Sequence, residues 1–161
     1  MVLSFPLWEN CALGHQREAP YGDGLWIKRE GAIARTEQIV REFDVRTPST
    51  QVPAITLSGG NQQKLIVGRE MTSGPKVLIA SHPTRGIDVG AQAAIWDVIR
   101  KARALGLGVL LISADLEELI GLSDTLHVLF RGRIAATLDP ATVTPQILGQ
   151  YMTGAAKDGV A

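Results

Sequence analysis

From position 57 onward, short apolar runs alternate with helix-period segments, and that alternation leaves few folds open. Residues 60–72 read as a helix with Ser58 as its N-cap. Residues 76–80 form a short apolar run, read as a buried strand. Ala91, Ala94, Ile95, Val98, Ile99 and Ala102 then recur at helical spacing, which predicts a helix over residues 90–104 with one buried face. Gly106 and Gly108 break it. Residues 109–112 read as a second buried strand and residues 116–122 as a short helix. Residues 126–130 and 134–138 are strands joined by Arg131-Gly132-Arg133, a hairpin signal. Residues 144–152 form a last helix, with Pro145 in its first turn, where the missing N–H is harmless. Strand–helix–strand–helix–strand order predicts parallel pairing with right-handed crossovers, and the hairpin adds an antiparallel edge. The fold class is therefore α/β, a mostly parallel sheet with flanking helices.

Residues 1–55 lack this regularity. They hold turn formers (Pro20, Gly22, Gly24, Pro48, Pro53) and one expected helix, residues 32–43, whose apolar face of Ile33, Ile39, Val40 and Phe43 is ragged. The chain has 161 residues and is 45% hydrophobic, enough for a domain with a real core. Lys+Arg and Asp+Glu are both 16, so no charge excess draws the chain to nucleic acid or to an anionic membrane. A single cysteine, Cys11, excludes an intramolecular disulfide and reads as plain apolar filling. No apolar run approaches the roughly 20 residues needed to span a bilayer. The first residues lack a basic region and are interrupted by Glu9 and Asn10, unlike a signal peptide. A cytoplasmic protein is expected, and any membrane association must come through a partner.

The chemistry centres on Leu57-Ser58-Gly59-Gly60-Asn61-Gln62-Gln63-Lys64. A serine and paired glycines open a helix there and leave backbone N–H groups uncovered at its positive end, an arrangement that suits a phosphate. Alone, the four residues Leu57 to Gly60 read more simply as an N-cap followed by a flexible turn. The context changes this: an apolar strand follows and leads into Pro83-Thr84-Arg85-Gly86-Ile87-Asp88.

With both strings in place, the sequence resembles the ATP-binding subunits of ABC transporters over nearly the whole chain. Leu57 to Lys64 resembles the signature motif, and Arg85 to Asp88 the D-loop. Gly-Asn-Gln-Gln-Lys with Pro-Thr-Arg-Gly-Ile-Asp-Val-Gly-Ala is similar to the second cassette of importers for simple sugars and nucleosides. The resemblance implies a partial P-loop NTPase fold, with a helical signature subdomain over residues 1–74 and the carboxy-terminal part of the α/β core over residues 75–161. It also implies a mechanism. Two cassettes close around ATP, and the signature of one donates to the γ-phosphate held by the other. Ser58, Gly59 and Gly60 would be those donors, with Gln62 toward the ribose and Asp88 at the dimer seam. Asp88 also reads as an N-cap, and Arg85 as either an interface residue or a solvated loop charge.

This sequence departs from the family pattern at decisive places. No Gly-x-x-x-x-Gly-Lys-[Ser/Thr] occurs in it, so the phosphate-loop half is missing. The chain is accordingly expected to be the carboxy-terminal piece of a longer protein, or a gene product that starts late. The strand that would end in Asp-Glu ends in Ser81-His82. The family's aspartate orients Mg²⁺ and its glutamate polarises the attacking water. Ser81 has no carboxylate, and His82 could act as a base in principle. Ala114 stands at the switch-histidine position and cannot hydrogen-bond a phosphate. Together these imply a site that does not hydrolyse, in a chain whose signature still completes a partner's site. ATP would be bound in trans, with Mg²⁺ held mainly by the partner cassette. The expected partners are another ABC ATPase cassette and membrane permease subunits, with no nucleic acid. His15 and His127 lack ligand spacing, so no metal site is expected. Trp8, Trp26 and Trp96 read as core or interface anchors. Competing readings are a non-catalytic docking module, a non-functional truncation product, and a chromosome-maintenance ATPase. The absence of coiled-coil heptads and the Asn-Gln-Gln-Lys string argue against the last.

Overall fold

The structure is a computed structural model and describes residues 1–155. Residues 156–161, the end of the expected 75–161 core segment, lie outside the described residues. The chain divides into two compact units. The first comprises Met1–Leu78 with Pro83–Gly108, and the second comprises Ile79–His82 with the residues from 109 onward.

The first unit is helical. It contains α1 (Leu7–Ala12), α2 (Arg29–Glu42), a 3₁₀ turn (Ala54–Thr56), α3 (Gly59–Met71) and α4 (Val89–Ala104). Leu7 and Cys11 of α1, Ala32 and Ile39 of α2 and Leu65 of α3 share one core. Cys11 is fully buried there, in agreement with its reading as filling. Burial of each large aliphatic side chain contributes about 1.5–3 kcal/mol. Helices α2 and α3 approach closely at Gly68, where an added Cβ would lie 2.6 Å from Ile39 and 2.8 Å from Phe43. Asn10 fixes the first residues of the chain. Its Nδ2 donates to the carbonyls of Val2 (2.9 Å), Phe5 (3.1 Å) and Pro6 (3.2 Å), and its Oδ1 accepts from the Val2 N–H (2.8 Å). Helix α4 buries Ile95, Ile99 and Ala102, one face at helical spacing as the pattern predicts.

Helix α1 escapes the periodicity reading because six residues are too short to show a period. Helix α2 starts at Arg29 rather than at residue 32, since the Lys28 carbonyl already accepts from Ala32.

Strands β1 (Val77–Ser81) and β2 (Gly108–Ile112) pair with each other. Gly108 N–H donates to Lys76 C=O (3.0 Å) and His82 N–H to Ile112 C=O (2.7 Å), so the two strands run parallel. Along both strands exposed residues alternate with more buried ones. One face thus presents Val77 and Ile79, 61% and 65% exposed, together with Leu110 and Ile112.

The second unit also holds α5 (Leu116–Leu122), β3 (Leu126–Phe130), β4 (Arg133–Leu138) and α6 (Pro145–Thr153). The hairpin turn is Arg131-Gly132, both with positive φ (50° and 77°), the geometry that matches strand twist in a two-residue connection. Leu126 and Val128 point inward against Leu148 of α6, while His127 and Leu129 point out. Thr144 caps α6, Pro145 opens it, and Gly154 ends it in the left-handed region (φ 70°).

The hairpin differs from expectation in one respect. It forms a separate two-stranded antiparallel sheet instead of the edge of the β1–β2 sheet. The ladder of β3 is taken up by β4, and its apolar face by α6. Sequence order alone does not reveal which strands share hydrogen bonds.

Candidate functional site

Helix α3 begins where the sequence places it. Ser58 has extended backbone (φ −62°, ψ 157°), and its Oγ accepts from the Asn61 N–H at 3.4 Å and from Asn61 Nδ2 at 3.0 Å. A hydroxyl has one donor and two acceptor sites. Both acceptor sites are taken by Asn61, which leaves the proton to be donated elsewhere. Ser58 and Gly59 are exposed, and no acidic residue lies in the first turn of α3. The partial positive charge of the helix end is therefore not offset from within the helix.

The two glycines answer to different demands. A Cβ on Gly59 would meet the Gly86 carbonyl oxygen at 3.5 Å and Ile87 Cγ2 at 3.6 Å, ordinary contact distances. On Gly60 it would lie 2.5 Å from the Ala91 Cβ, which real structures do not tolerate. Gly60 is buried and lets α3 press against the start of α4. Gly59 leaves an open approach from outside. Sequence reasoning treated the pair alike.

Asp88 N-caps α4, with Oδ1 accepting from the Ala91 N–H at 2.9 Å. Its other oxygen would be 3.6 Å from a Gly60 Cβ. The signature and the Pro83–Asp88 segment therefore meet within the first unit. The carboxylate charge there is offset in part by the amino-terminal end of α4. Arg85 is exposed.

The Asn-Gln-Gln-Lys string is an anchoring device. Asn61 Oδ1 accepts from the Arg46 N–H (2.8 Å). Gln62 Nε2 donates to the carbonyls of Leu57 (3.0 Å) and Ala54 (3.3 Å). Gln63 Nε2 donates to the Pro83 carbonyl (2.7 Å). Lys64 Nζ donates to the Asp44 carbonyl (2.9 Å) and meets its carboxylate (3.0 Å). That hydrogen bond, with the lysine charge, holds the Asp44 carboxyl below the usual carboxylate range. Consecutive side chains of one helix turn thus reach different loops. The sequence reading quoted Asn61, Gln63 and Lys64 only as part of a motif. The available signal was a polar run opening a helix whose next turns, from Leu65, are apolar.

In the second unit, Ser81 ends β1 and is exposed. His82 follows with φ 49°, a left-handed conformation that few non-glycine residues adopt. Ala114 is exposed, in a turn where the Asp115 N–H donates to Ser113 Oγ (3.0 Å) and Asp115 caps α5. Ser81 and Ala114 bring no ionisable group to these strand ends. Among the described residues no three His, Cys, Asp or Glu side chains gather as a metal site.

The chain is 43% identical over 155 residues to the guanosine import ATP-binding protein NupO of Bacillus subtilis. It is 38% identical over 154 residues to the ribose import ATP-binding protein RbsA 2 of Burkholderia cenocepacia. The matches take in 96% and 95% of this chain, which spans 30% of the length of these curated relatives. No family model matches. Among solved structures, a nucleotide-free ATP-binding cassette from an ABC transporter superposes with a TM-score of 0.71 at 22% identity, over 94% of this chain and 60% of that one. A dimeric post-hydrolysis cassette bound to ADP and phosphate gives 0.70 at 18% identity, over 87% and 59%. The chain belongs with the ATP-binding cassettes of ABC transporters: it has part of their fold and is similar in sequence, over nearly all of its own length, to the sugar and nucleoside import proteins among them.

Proposed function

We propose that the chain supplies a signature face to ATP held by a partner cassette, as part of an ABC importer for simple sugars or nucleosides. The observation that carries this reading is the Ser58 hydroxyl, whose acceptor sites are both used by Asn61. Its remaining capacity is as a donor, beside the first-turn N–H groups of α3, which have no carbonyl within the helix to accept them. Such a set fits a γ-phosphate approaching from outside. When bound, ATP supplies the phosphoanhydride whose cleavage drives transport. Ser58 and the amides of Gly59 and Gly60 would orient its terminal phosphate and neutralise charge on it. Asp88 would lie at the seam with the partner. Gln62, its amide nitrogen engaged with Leu57 and Ala54, would shape the ribose side by fixing the loop before Ser58.

In this reading residues 1–74 are the signature-bearing helical segment, of which residues 1–55 touch the permease subunits, while residues 75–161 contribute part of the α/β core. Mg²⁺ is held mainly by the partner. Ser81, His82 and Ala114 occupy the places of a metal-orienting carboxylate, a catalytic carboxylate and a switch histidine, and the site they would form does not hydrolyse. The protein sits at the inner face of the cell membrane through its permease. Among the described residues no helix is long and apolar enough to cross a membrane.

The test is Ser58→Arg in a complex with a phosphate-loop-bearing cassette and its permease. The account expects ATP turnover to be abolished. Unchanged turnover would mean that the signature is idle.

A further inference from the structure

We infer that Gln63 is a positioning residue, which locks the Pro83–Asp88 loop to the signature helix so that Ser58 and Asp88 are presented as one rigid edge. The inference rests on the signature reading above for its functional consequence, but not for its structural part.

Three observations carry it. The Gln63 amide donates to the Pro83 carbonyl at 2.7 Å across a sequence separation of 20 residues. The Pro83 carbonyl is the first of the Pro83–Asp88 loop, and Pro83 and Thr84 are both buried. At the other end of the loop, Gly60 packs so tightly on Ala91 that no side chain fits between them. Gly59 lies beside the middle of the loop, where an added Cβ would come to 3.5 Å from the Gly86 carbonyl oxygen and 3.6 Å from Ile87 Cγ2. The loop is thus held at its start by a hydrogen bond and at its end by packing, both from the first turns of α3. Within the loop the Ile87 N–H donates to the Thr84 C=O at 3.4 Å. Gly86, at φ 76°, takes a left-handed backbone that glycine adopts without steric cost.

A glutamine suits this task. Its amide reaches a carbonyl one turn beyond the N-cap without adding charge beside an incoming phosphate. Leucine has a similar volume and no donor. Lysine keeps a donor of comparable reach.

The experiment is amide hydrogen exchange on the 161-residue chain and its Gln63→Leu and Gln63→Lys variants. Loss of one net hydrogen bond, about 1 kcal/mol, corresponds to roughly a fivefold to tenfold change in a local opening equilibrium. In Gln63→Leu the amides of Ile87, Ala91 and Gln92 should exchange about fivefold to tenfold faster, while those of Ile95 to Ile99 keep their rates. Gln63→Lys should restore the wild-type pattern. Unchanged exchange in Gln63→Leu overturns the positioning role. So does uniform acceleration through α4, which would mark a merely structural loss. Turnover in the assembled complex reads the consequence, with Ser58→Arg as its control. Full turnover in Gln63→Leu beside a dead Ser58→Arg would overturn the link to function. An active Ser58→Arg would overturn the signature reading itself, and the exchange result would still decide whether Gln63 positions the loop.

Discussion

The start of α3 and the end of β1 are both loop regions, and they are built in opposite ways. At the start of α3 the polar side chains of Ser58, Asn61, Gln62, Gln63 and Lys64 all have defined partners, and the backbone needs a glycine at position 60. At the end of β1, Ser81 is exposed and His82 holds a left-handed backbone that glycine would adopt more easily. One region is organised around presenting donors. The other carries residues without the acidic groups that phosphoryl transfer requires. The contrast teaches that the start of α3 is tightly specified by its hydrogen bonds and packing while the end of β1 is not.

The comparison can be broken most forcefully at the glycines. Gly60→Ala should destabilise the chain by about 1–3 kcal/mol, since the new methyl overlaps Ala91 and the helices must separate. Gly59→Ala should stay within about 0.5 kcal/mol of wild type, because its methyl meets only ordinary contacts. Urea denaturation measures both. Equal losses would show that the two glycines share one role.

A smaller effect is expected at the strand end. His82→Gly should raise stability by about 0.5–1 kcal/mol through relief of the left-handed backbone. It should change turnover of the assembled complex by less than about twofold. A tenfold loss would restore His82 as a working base.

The smallest effect is electrostatic. Lys64 lowers the Asp44 pKa below its ordinary value of 3.8 in the folded chain. The sign follows directly: an acid with a depressed folded pKa stabilises above its unfolded value and loses that contribution as pH falls through the folded one. Below about pH 4 the anchor of Lys64 should loosen, and Asp44→Asn should remove that part of the acid dependence. Melting temperatures of both proteins between pH 6 and pH 3 would check it. Identical pH profiles would show that Lys64 is held by the Asp44 backbone carbonyl alone. Cys11 moves the other way. Burial pushes its thiol up to about 11, so it stays protonated and shielded near neutrality.

Much of this was legible in the sequence. The helices α3 to α6 and all four strands follow from periodicity and turn residues, because buried faces impose a period and loops need glycine or proline. The Ser58 and Asp88 caps were legible for the same local reason. What escaped depends on contacts between distant positions. Helix α1 is defined by the core it enters, through Leu7 and Cys11, and not by its own short pattern. The need for Gly60 arises from Ala91, and the role of Gln63 from Pro83. The separation of the hairpin from the β1–β2 sheet is a matter of hydrogen-bond partners, which no spacing encodes.

The central claim is that this surface acts on a nucleotide held by another chain. Isothermal titration of the pure chain with Mg-ATP tests it most directly. The chain has the donors of Ser58, Gly59 and Gly60 but no phosphate-loop motif in its sequence. The account predicts no saturable heat at micromolar nucleotide. Micromolar binding by the monomer would contradict it.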